Sequence, residues 1–215
     1  EIGYPHLDDI DVYLFSQTRQ PVRLHLGDKL KFSERPIDHR NFVIPIEIQA
    51  SEGLHVVIRV KTDGSLRMPF SLWHPQRFFE QDAKNVIIQG IFFGLILIMA
   101  LYNLFVYVSL RERSYLYYVG VACGTAGIVA TLNGLSFQYL WPDSSWWSEK
   151  SLLFFLCSAQ ISSCLFAKEF LDLRHYAKRH FSFLSLMVLL AGLAGLAAFF
   201  LPYRLMGRVV AILII

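Results

Sequence analysis

Charged residues are scarce in this sequence. Only 17% of the 215 residues are Asp, Glu, Lys or Arg, whereas an average soluble domain contains about 25%. Apolar residues account for 54% and aromatic residues for 15%. This balance excludes an ordinary cytosolic enzyme. The net charge of +3 is small and dispersed, so nucleic acid is not an expected partner.

Cysteines and catalytic motifs are scarce too. Cys123, Cys157 and Cys164 all lie beyond residues 1–84, and the chain has neither a disulfide framework nor a CxxC metal site. The acidic run at 8–11 lacks the glycine and the distal glutamate of a calcium loop. GxSxG, HExxH and phosphate-loop motifs are absent. We therefore expect no catalytic residue, metal or cofactor, and any catalytic output domain would lie outside this chain.

Charge divides the chain into two parts. Residues 1–84 contain eleven basic and twelve acidic residues, as a soluble domain does, whereas residues 85–215 contain nine and five. The second part has long uncharged runs that only a bilayer tolerates. We predict a soluble domain over 1–84 and a membrane domain over 85–215. We also expect the sequence to be an internal fragment of a longer protein, because no signal segment precedes Glu1 and the last apolar run is too short to span a bilayer.

Four apolar runs are predicted to form transmembrane helices. The first, residues 85–110, has 26 residues, no charge and sixteen Val, Ile, Leu or Phe residues. About 20 helical residues suffice to cross the ~30 Å hydrocarbon core. The other three runs are 114–142, 151–167 and 181–203, and residues 206–215 would begin a fifth helix.

Basic residues in the short loops orient these helices. The first loop contains Arg111 and Arg113, and the third, residues 168–179, contains four Lys or Arg residues. The second loop, residues 141–149, contains two acids and three tryptophans but no base. By the positive-inside rule the first and third loops are cytoplasmic. The soluble domain and the second loop are then extracytoplasmic, and the single Arg204 in the fourth loop weakens this assignment without reversing it.

The helices lack ionisable side chains but contain small residues and amides. None of the four runs contains Asp, Glu, Lys, Arg or His, which argues against a proton pump, an ion-coupled transporter or an intramembrane metalloprotease. Glycines spaced by three and four residues share one helix face, and amides can bond across helices. We expect close helix packing, with a relay as the alternative role. The residues concerned are Gly90, Gly94, Asn103, Gly120, Gly124, Gly127 and Asn133.

The sequence pattern of residues 1–84 predicts short strands separated by turns. Apolar and polar residues alternate over 22–26 and 56–61, which is the period of a half-buried strand. The pattern predicts an all-β sandwich of the jelly-roll kind, truncated at its N-terminus because five strands are fewer than such folds use. The predicted strands are 10–15, 22–26, 42–48, 54–60 and 66–73, with turns at 27–28, 51–53 and 62–65.

A polar and aromatic group in this domain suggests a ligand site. His39, Arg40, Arg59, Arg67 and Trp73 combine hydrogen-bond donors with an aromatic face. Sugars are commonly held in this way, so the group predicts a carbohydrate or small-molecule ligand. Trp73 could instead anchor the core or an interface.

The order of these pieces also carries information. A cysteine-free β-domain, a short linker at 78–82 and a run of helices follow one another. Notable stretches are LDDIDVYL at 7–14, RPIDHRNF at 35–42, residues 59–72, ALYNLF at 100–105 and RERSYL at 111–116. In these stretches and their order the chain resembles the bacterial 7TM receptors with diverse intracellular signalling modules (7TMR-DISM).

The resemblance implies a fold and a function. Residues 1–84 would be the C-terminal part of the family's type 2 extracellular domain, a jelly roll thought to bind carbohydrate-like ligands. The helices would be the first four to five of seven. The protein would be a sensor in the bacterial inner membrane that relays a periplasmic signal to a cytoplasmic histidine kinase, diguanylate cyclase or phosphatase module missing from this chain. Its partners would be the lipid bilayer, the ligand, the cytoplasmic signalling domain and a second copy in a homodimer.

Two other functions compete with a receptor. A transport or envelope-assembly protein whose β-domain docks a partner is the main alternative, and it would show intramembrane ionisable groups or broken helices after Ile215. A membrane-anchored glycosidase would need paired carboxylates, and Glu47, Glu52 and Asp63 show no spacing that makes such a pair.

Overall fold

Strands form where apolar and polar residues alternate. The computed structural model describes residues 1–16, 20–48, 53–201 and 203–214. Its three strands form one antiparallel sheet in the order β2-β1-β3. They are β1 (Asp9–Ser16), β2 (Val22–Leu26) and β3 (Leu54–Lys61), which confirms the predicted strands at 10–15, 22–26 and 54–60.

The register of the sheet places one face against an apolar core. Ile10 on the central strand β1 lies between Leu26 of β2 and Val60 of β3. Side chains alternate between the two faces of a strand, so every second residue joins the same apolar layer. Full burial of one such side chain contributes about 1.5–3 kcal/mol. The buried cluster consists of Ile2, Leu7, Ile10, Val12, Leu26 and Phe42.

Two of the predicted strands were wrong. Residues 42–48 and 66–73 form only isolated bridges. Pro45 and Pro69 lie inside these runs, and proline has no N–H to donate to a ladder of strands. The jelly roll is therefore not confirmed, because the described residues form a sheet of three strands. Of the predicted turn at 51–53, residues 51 and 52 lie outside the described part of the chain.

Helices dominate the rest of the chain. Four of them are long and apolar enough to cross a membrane, as predicted: α1, α2, α4 and α6. The seven α-helices of the described residues are α1 (Pro75–Leu110), α2 (Arg113–Leu132), α3 (Leu135–Tyr139), α4 (Ser145–Phe170), α5 (Leu173–Tyr176), α6 (Lys178–Phe200) and α7 (Tyr203–Ile214).

Helix α1 begins at Pro75 rather than at residue 85. Pro75 occupies the first turn after an extended His74, a position that suits proline because its N–H would have no partner there. Residues 78–82, predicted to be a linker, are therefore helical. At 1.5 Å per residue α1 is about 54 Å long, so it extends well beyond the ~30 Å hydrocarbon core.

The uncharged run 114–142 does not form a single helix. Helix α2 ends at Leu132, and α3 begins after Gly134, whose φ of 72° is left-handed. The N–H of Gly134 donates to the carbonyl oxygen of Thr131 at 2.9 Å and closes this turn. Glycine adopts the left-handed conformation without a steric penalty. The chain therefore leaves the direction of α2 at this point.

The chain divides into two compact units. The β-unit consists of Glu1–Trp73 and Ala130–Glu149, and the helical unit consists of His74–Val129 and Lys150–Ile215. Residues Ala130–Glu149 run from the last turn of α2 through α3 to the first residues of α4, yet they pack with Glu1–Trp73. We call them the coupling segment. This packing agrees with the predicted topology, in which the second loop and the soluble domain lie on the same side of the membrane.

Glycines on α2 allow a close approach of α4 in the helical unit. A Cβ atom added at Gly120 would lie 2.5 Å from Ser162 Oγ, and one at Gly124 would lie 2.9 Å from Ala159 Cβ. One at Gly127 would overlap an aromatic ring of α4. Small residues at such a contact let helix backbones pack closely.

A second buried cluster joins α4, α6 and α7. Small residues of α6 pack against longer side chains of its neighbours. At the start of α4, Lys150 Nζ donates a hydrogen bond to the carbonyl oxygen of Phe199 at 2.6 Å. The buried residues of this cluster are Leu153, Cys157, Ala194, Ala198, Met206 and Val210.

The turn at Gly134 yields a first prediction. A Cβ atom there would lie 2.8 Å from Pro5 Cβ and 3.2 Å from the carbonyl oxygen of Arg40. A left-handed non-glycine residue costs about 1–2 kcal/mol even without such contacts. Since 1 kcal/mol shifts Tm by about 4–8 °C in a domain of 60–100 residues, we expect Gly134→Ala to lower the Tm of the β-unit by at least about 4 °C.

Tryptophan fluorescence measures this change selectively. The four tryptophans, Trp73, Trp141, Trp146 and Trp147, all lie in the β-unit. Gly192→Ala is the matched control, because a Cβ atom at this position of α6 would meet nothing within 4 Å. An equal Tm for wild type and Gly134→Ala would contradict the role assigned to this turn.

Candidate functional site

The face of the sheet opposite the core is polar and aromatic. Strand alternation directs every second residue to this side. β1 provides two carboxylates followed by two aromatic rings, and the flanking strands provide mainly basic residues. We call this surface the polar face. Its polar and aromatic residues are Asp9, Asp11, Tyr13, Phe15, Arg23, His25, His55, Arg59 and Lys61.

Asp11 is the centre of the hydrogen bonds on the polar face. Its Oδ1 accepts from Arg23 Nη2 at 2.9 Å and from Arg23 Nε at 3.2 Å, and it lies 3.1 Å from His25 Nδ1. Asp11 is only 6% exposed. The hydrogen bond from Arg23 is the main cause that holds the pKa of Asp11 below its ordinary value. Asp11 is therefore an ionised, fixed acceptor at neutral pH.

Two aromatic rings lie next to this group. The rings of Tyr13 and Phe15 are stacked, with centroids 6.5 Å apart and an interplanar angle of 16°. The Arg23 guanidinium carbon lies 5.8 Å from the centroid of the Tyr13 ring. Phe15 is 41% exposed. The polar face thus combines accessible ring surface with fixed donors and acceptors.

Asp9, Asp11 and His25 could in principle hold a metal ion. Their ligand atoms all lie within 4.8 Å of one another. However, Oδ1 of Asp11 already accepts two hydrogen bonds from Arg23. The fixed positive charge of that guanidinium opposes a second cation at the same oxygen. The arrangement is better suited to hydrogen bonding with a neutral or anionic ligand.

The five predicted ligand residues do not lie together on this surface. Arg59 is on β3, opposite Asp11 in the register, and so lies on the polar face. His39 and Arg40 are buried, at 8% and 7% exposure, after the short 3-10 helix Phe32–Glu34. Arg67 and Trp73 are exposed in the chain that follows β3. A ligand-binding role for these residues stays a prediction.

Sequence reasoning missed most of the polar face. The signal was present in β1, where Asp9, Asp11, Tyr13 and Phe15 occupy every second position. This spacing places them on the same side of a strand. The partners from β2 could not be found in this way, because they depend on the register that pairs Asp11 with His25.

The coupling segment contacts the N-terminal strand region directly. His6 Nε2 lies 2.9 Å from the carbonyl oxygen of Thr131, and since a carbonyl only accepts, Nε2 is the donor. Burial lowers the pKa of His6 below its ordinary value, so the ring is neutral at pH 7. The N–H of Phe32 donates to the carbonyl oxygen of Pro142 at 3.0 Å, and the rings of Phe32 and Phe137 meet edge to face with centroids 5.7 Å apart.

Arg35 is surrounded by aromatic rings at this contact. Its guanidinium carbon lies 4.4 Å from the Phe42 centroid, 4.7 Å from that of Phe32 and 5.6 Å from that of Phe137. Phe137 belongs to the coupling segment. A guanidinium is weakly hydrated and stacks favourably on aromatic faces. The cation therefore links both chain segments of the β-unit.

Backbone carbonyl groups complete the environment of Arg35. Nη1 donates to the carbonyl oxygens of His39 at 2.9 Å and of Arg40 at 2.8 Å. Nε has no hydrogen-bond partner among the described residues. Burial lowers the pKa of Arg35 to about 10, while Asp28 acts in the opposite direction. The side chain nevertheless remains protonated at neutral pH.

Asp28 is a partly buried acid whose pKa also depends on a charge in the coupling segment. Burial is the main cause that raises its pKa to about 7, and the negative charges of Asp8 and Glu149 raise it further. Lys29 and Arg35 act in the opposite direction. Lys29 Nζ forms an ion pair with Asp8 Oδ2 at 2.9 Å. Because Glu149 belongs to the coupling segment, the charge state of Asp28 depends on both segments of the β-unit.

The other residues predicted for packing or relay have varied surroundings. A Cβ atom at Gly90 or Gly94 of α1 would meet nothing within 4 Å. Asn103 Nδ2 donates to the carbonyl oxygen of Met99 in the same helix at 2.8 Å. Asn133 is half-buried in the turn after α2. A relay through these residues stays a prediction.

Comparisons with known proteins cover almost the whole chain. Residues 1–74 match the family described as 7TMR-DISM extracellular 2. Residues 85–215 match the family described as 7TM diverse intracellular signalling, 7TMR-DISM_7TM. No curated protein and no solved structure matches the chain.

Removal of the buried cation tests its place in the β-unit. Arg35→Met would leave the carbonyl oxygens of His39 and Arg40 without their donor, at a cost of about 1–3 kcal/mol for each buried group. We expect the Tm of the β-unit, followed by tryptophan fluorescence, to fall by about 8 °C or more. Arg67→Met, at an exposed position, is the control and should leave Tm nearly unchanged. Similar values for both variants would show that Arg35 does not stabilise the unit.

Asp28 yields a prediction on pH. The pKa of Asp28 rises from 3.8 to about 7 on folding. Between these pH values the folded state therefore binds more protons than the unfolded state, so the contribution of Asp28 to the free energy of unfolding decreases as pH rises through this window. Above the window this contribution is constant. We expect Asp28→Asn, which mimics the protonated acid, to gain in Tm over wild type as pH rises from 4 to 7. The exposed Asp38, replaced by Asn, should show no such trend. A difference between Asp28→Asn and wild type that is independent of pH would contradict the assignment.

Proposed function

Since the chain belongs to the 7TMR-DISM family, and is thus part of a transmembrane receptor with an extracellular sensing domain, we propose that the polar face binds its ligand and that the coupling segment passes the signal to α2 and α4. The observation that carries this proposal is that two separate chain segments together form the β-unit. The coupling segment, which lies between two membrane-spanning helices, packs within the same unit as the polar face.

The chemistry of the polar face supports a carbohydrate-like ligand. Sugar rings present C–H faces that pack on aromatic side chains, and their hydroxyl groups both donate and accept hydrogen bonds. Tyr13 and Phe15 offer the stacked rings. Asp11 and Arg23 offer an ionised acceptor and a cationic donor within hydrogen-bonding distance of each other. Arg59, opposite Asp11 on β3, adds a donor on the other side of the central strand.

The route from the polar face to the helices follows β1 and the coupling segment. β1 contributes Asp11 to the polar face and Ile10 to the core. Residues just before it reach the coupling segment, where His6 bonds to Thr131 in the last turn of α2. A ligand that binds one arrangement of this contact more tightly than another shifts the population of the two. The direct contact makes a separate transmitting element unnecessary.

The output of this receptor lies on the opposite side of the membrane. The shared unit of the extracellular domain and the coupling segment supports a cytoplasmic position for the loops before α2 and after α4, and so do the basic residues of these loops. We place the protein in the bacterial inner membrane, with a histidine kinase, diguanylate cyclase or phosphatase module as its output. A homodimer would allow two such modules to act on each other.

A binding assay on the full chain in nanodiscs tests the ligand site. We expect some members of a glycan panel to raise the Tm reported by tryptophan fluorescence, and Tyr13→Ala/Phe15→Ala to weaken that binding about ten-fold or more, since each ring contributes about 0.5–1.5 kcal/mol beyond its buried area. Phe70→Ala removes another exposed aromatic ring of the β-unit and should leave binding unchanged. A flat response across the panel would exclude this ligand class, and equal binding by all variants would exclude the polar face.

A further inference from the structure

The helical unit contains a large cavity that the proposed sensor function does not use. Its volume is about 920 Å³, and its walls come from the loop between α1 and α2 and from the ends of α4, α5 and α6. Both loops carry the basic residues that assign them to the cytoplasmic side of the membrane. By this assignment the cavity lies on the cytoplasmic side of the membrane.

Cationic side chains predominate slightly on the walls of this cavity. Arg111, Arg113, Lys168 and Arg174 line it together with His175, while the acids are Glu112, Glu169 and Asp172. Among the described residues, no acidic side chain forms an ion pair with any of the three arginines. Guanidinium groups have five donors and bind phosphate oxygens in a bidentate manner. The three arginines are thus available to an anion.

Lys168 is already held at the wall. Its Nζ donates to Ser185 Oγ at 2.8 Å and lies 4.2 Å from the centroid of the Phe181 ring. These contacts fix a positive charge at the cavity and reduce the entropy that would be lost on binding. The hydroxyl groups of Ser114 and Tyr117 add neutral donors. Arg113 and Ser114 also begin α2, and the start of a helix favours negative charge.

Apolar residues line the same cavity. Leu165, Phe170 and Phe181 contribute to its walls, and Phe170 is 68% exposed. A free phosphate ion would gain nothing from these side chains, whereas the glycerol and first acyl carbons of a lipid would pack on them. Basic pockets between membrane helices on the cytoplasmic side are suited to anionic headgroups. We propose that this cavity binds the phosphate group of an anionic phospholipid, with Arg111, Arg174 and Lys168 as its main cationic contacts.

A matched pair of double variants tests the site. The full chain is placed in nanodiscs of phosphatidylethanolamine and phosphatidylglycerol, and retained phosphatidylglycerol is measured by native mass spectrometry. Arg111→Gln/Arg174→Gln should retain at least five-fold less lipid than wild type. Lys178→Gln/Arg179→Gln removes two charges from the same cytoplasmic side outside the cavity and should retain nearly as much as wild type. Equal losses in both variants, or no loss in either, would overturn the proposal.

A measurement on the unmodified protein covers the case in which a variant does not fold. In nanodiscs of neutral phosphatidylcholine, added phosphatidylglycerol should raise the midpoint of thermal unfolding followed by circular dichroism at 222 nm. No rise would overturn the proposal. An equal rise with oleate, which is anionic but has no phosphate, would show that charge alone is recognised. An equal rise with inorganic phosphate or glycerol phosphate would assign the site to a soluble phosphate compound instead of a lipid.

Discussion

The guanidinium group of Arg35 is buried among three phenylalanine rings, and the rest of the β-unit depends on how this charge is accommodated. A cation removed from water is costly unless other groups replace its hydration. Here the faces of the rings and two backbone carbonyl groups do so. Because Phe137 comes from the coupling segment and Phe42 from the N-terminal part of the chain, this environment exists only when both segments are folded together.

The sheet connects this contact to the polar face. β1 is paired on both edges, so its position is fixed by β2 and β3. Its side chains alternate between the core and the polar face, which means that Asp11 cannot shift without moving Ile10 and Val12. Packed cores respond to such displacements by switching between discrete arrangements, since they are not continuously deformable. This property suits a receptor, in which a small event at one surface must select between two states.

Local patterns in the sequence were sufficient for part of this structure. Short strand patterns between turns located β1, β2 and β3, with alternation noted in β2 and β3, and uncharged apolar runs located the four long helices. The failures have physical causes: Pro45 and Pro69 prevent two apolar runs from joining the sheet, and a left-handed Gly134 ends a run that composition alone would continue. The contact of Arg35 with Phe137 was inaccessible, because no local pattern links residues so far apart in the chain.

The β-unit is assembled from two stretches of chain separated by two membrane helices, and this affects the order of its biogenesis. Residues Glu1–Trp73 are synthesised before α1 and α2, but their Phe137 partner follows only after these helices. At about 5–20 residues per second, the ribosome needs several seconds to reach the end of the coupling segment. During this interval the core of the sheet is present while the ring that completes the environment of Arg35 is not. Correct insertion of α2 is thus a precondition for a mature extracellular domain, so a receptor with faulty topology exposes an incomplete unit to proteolysis.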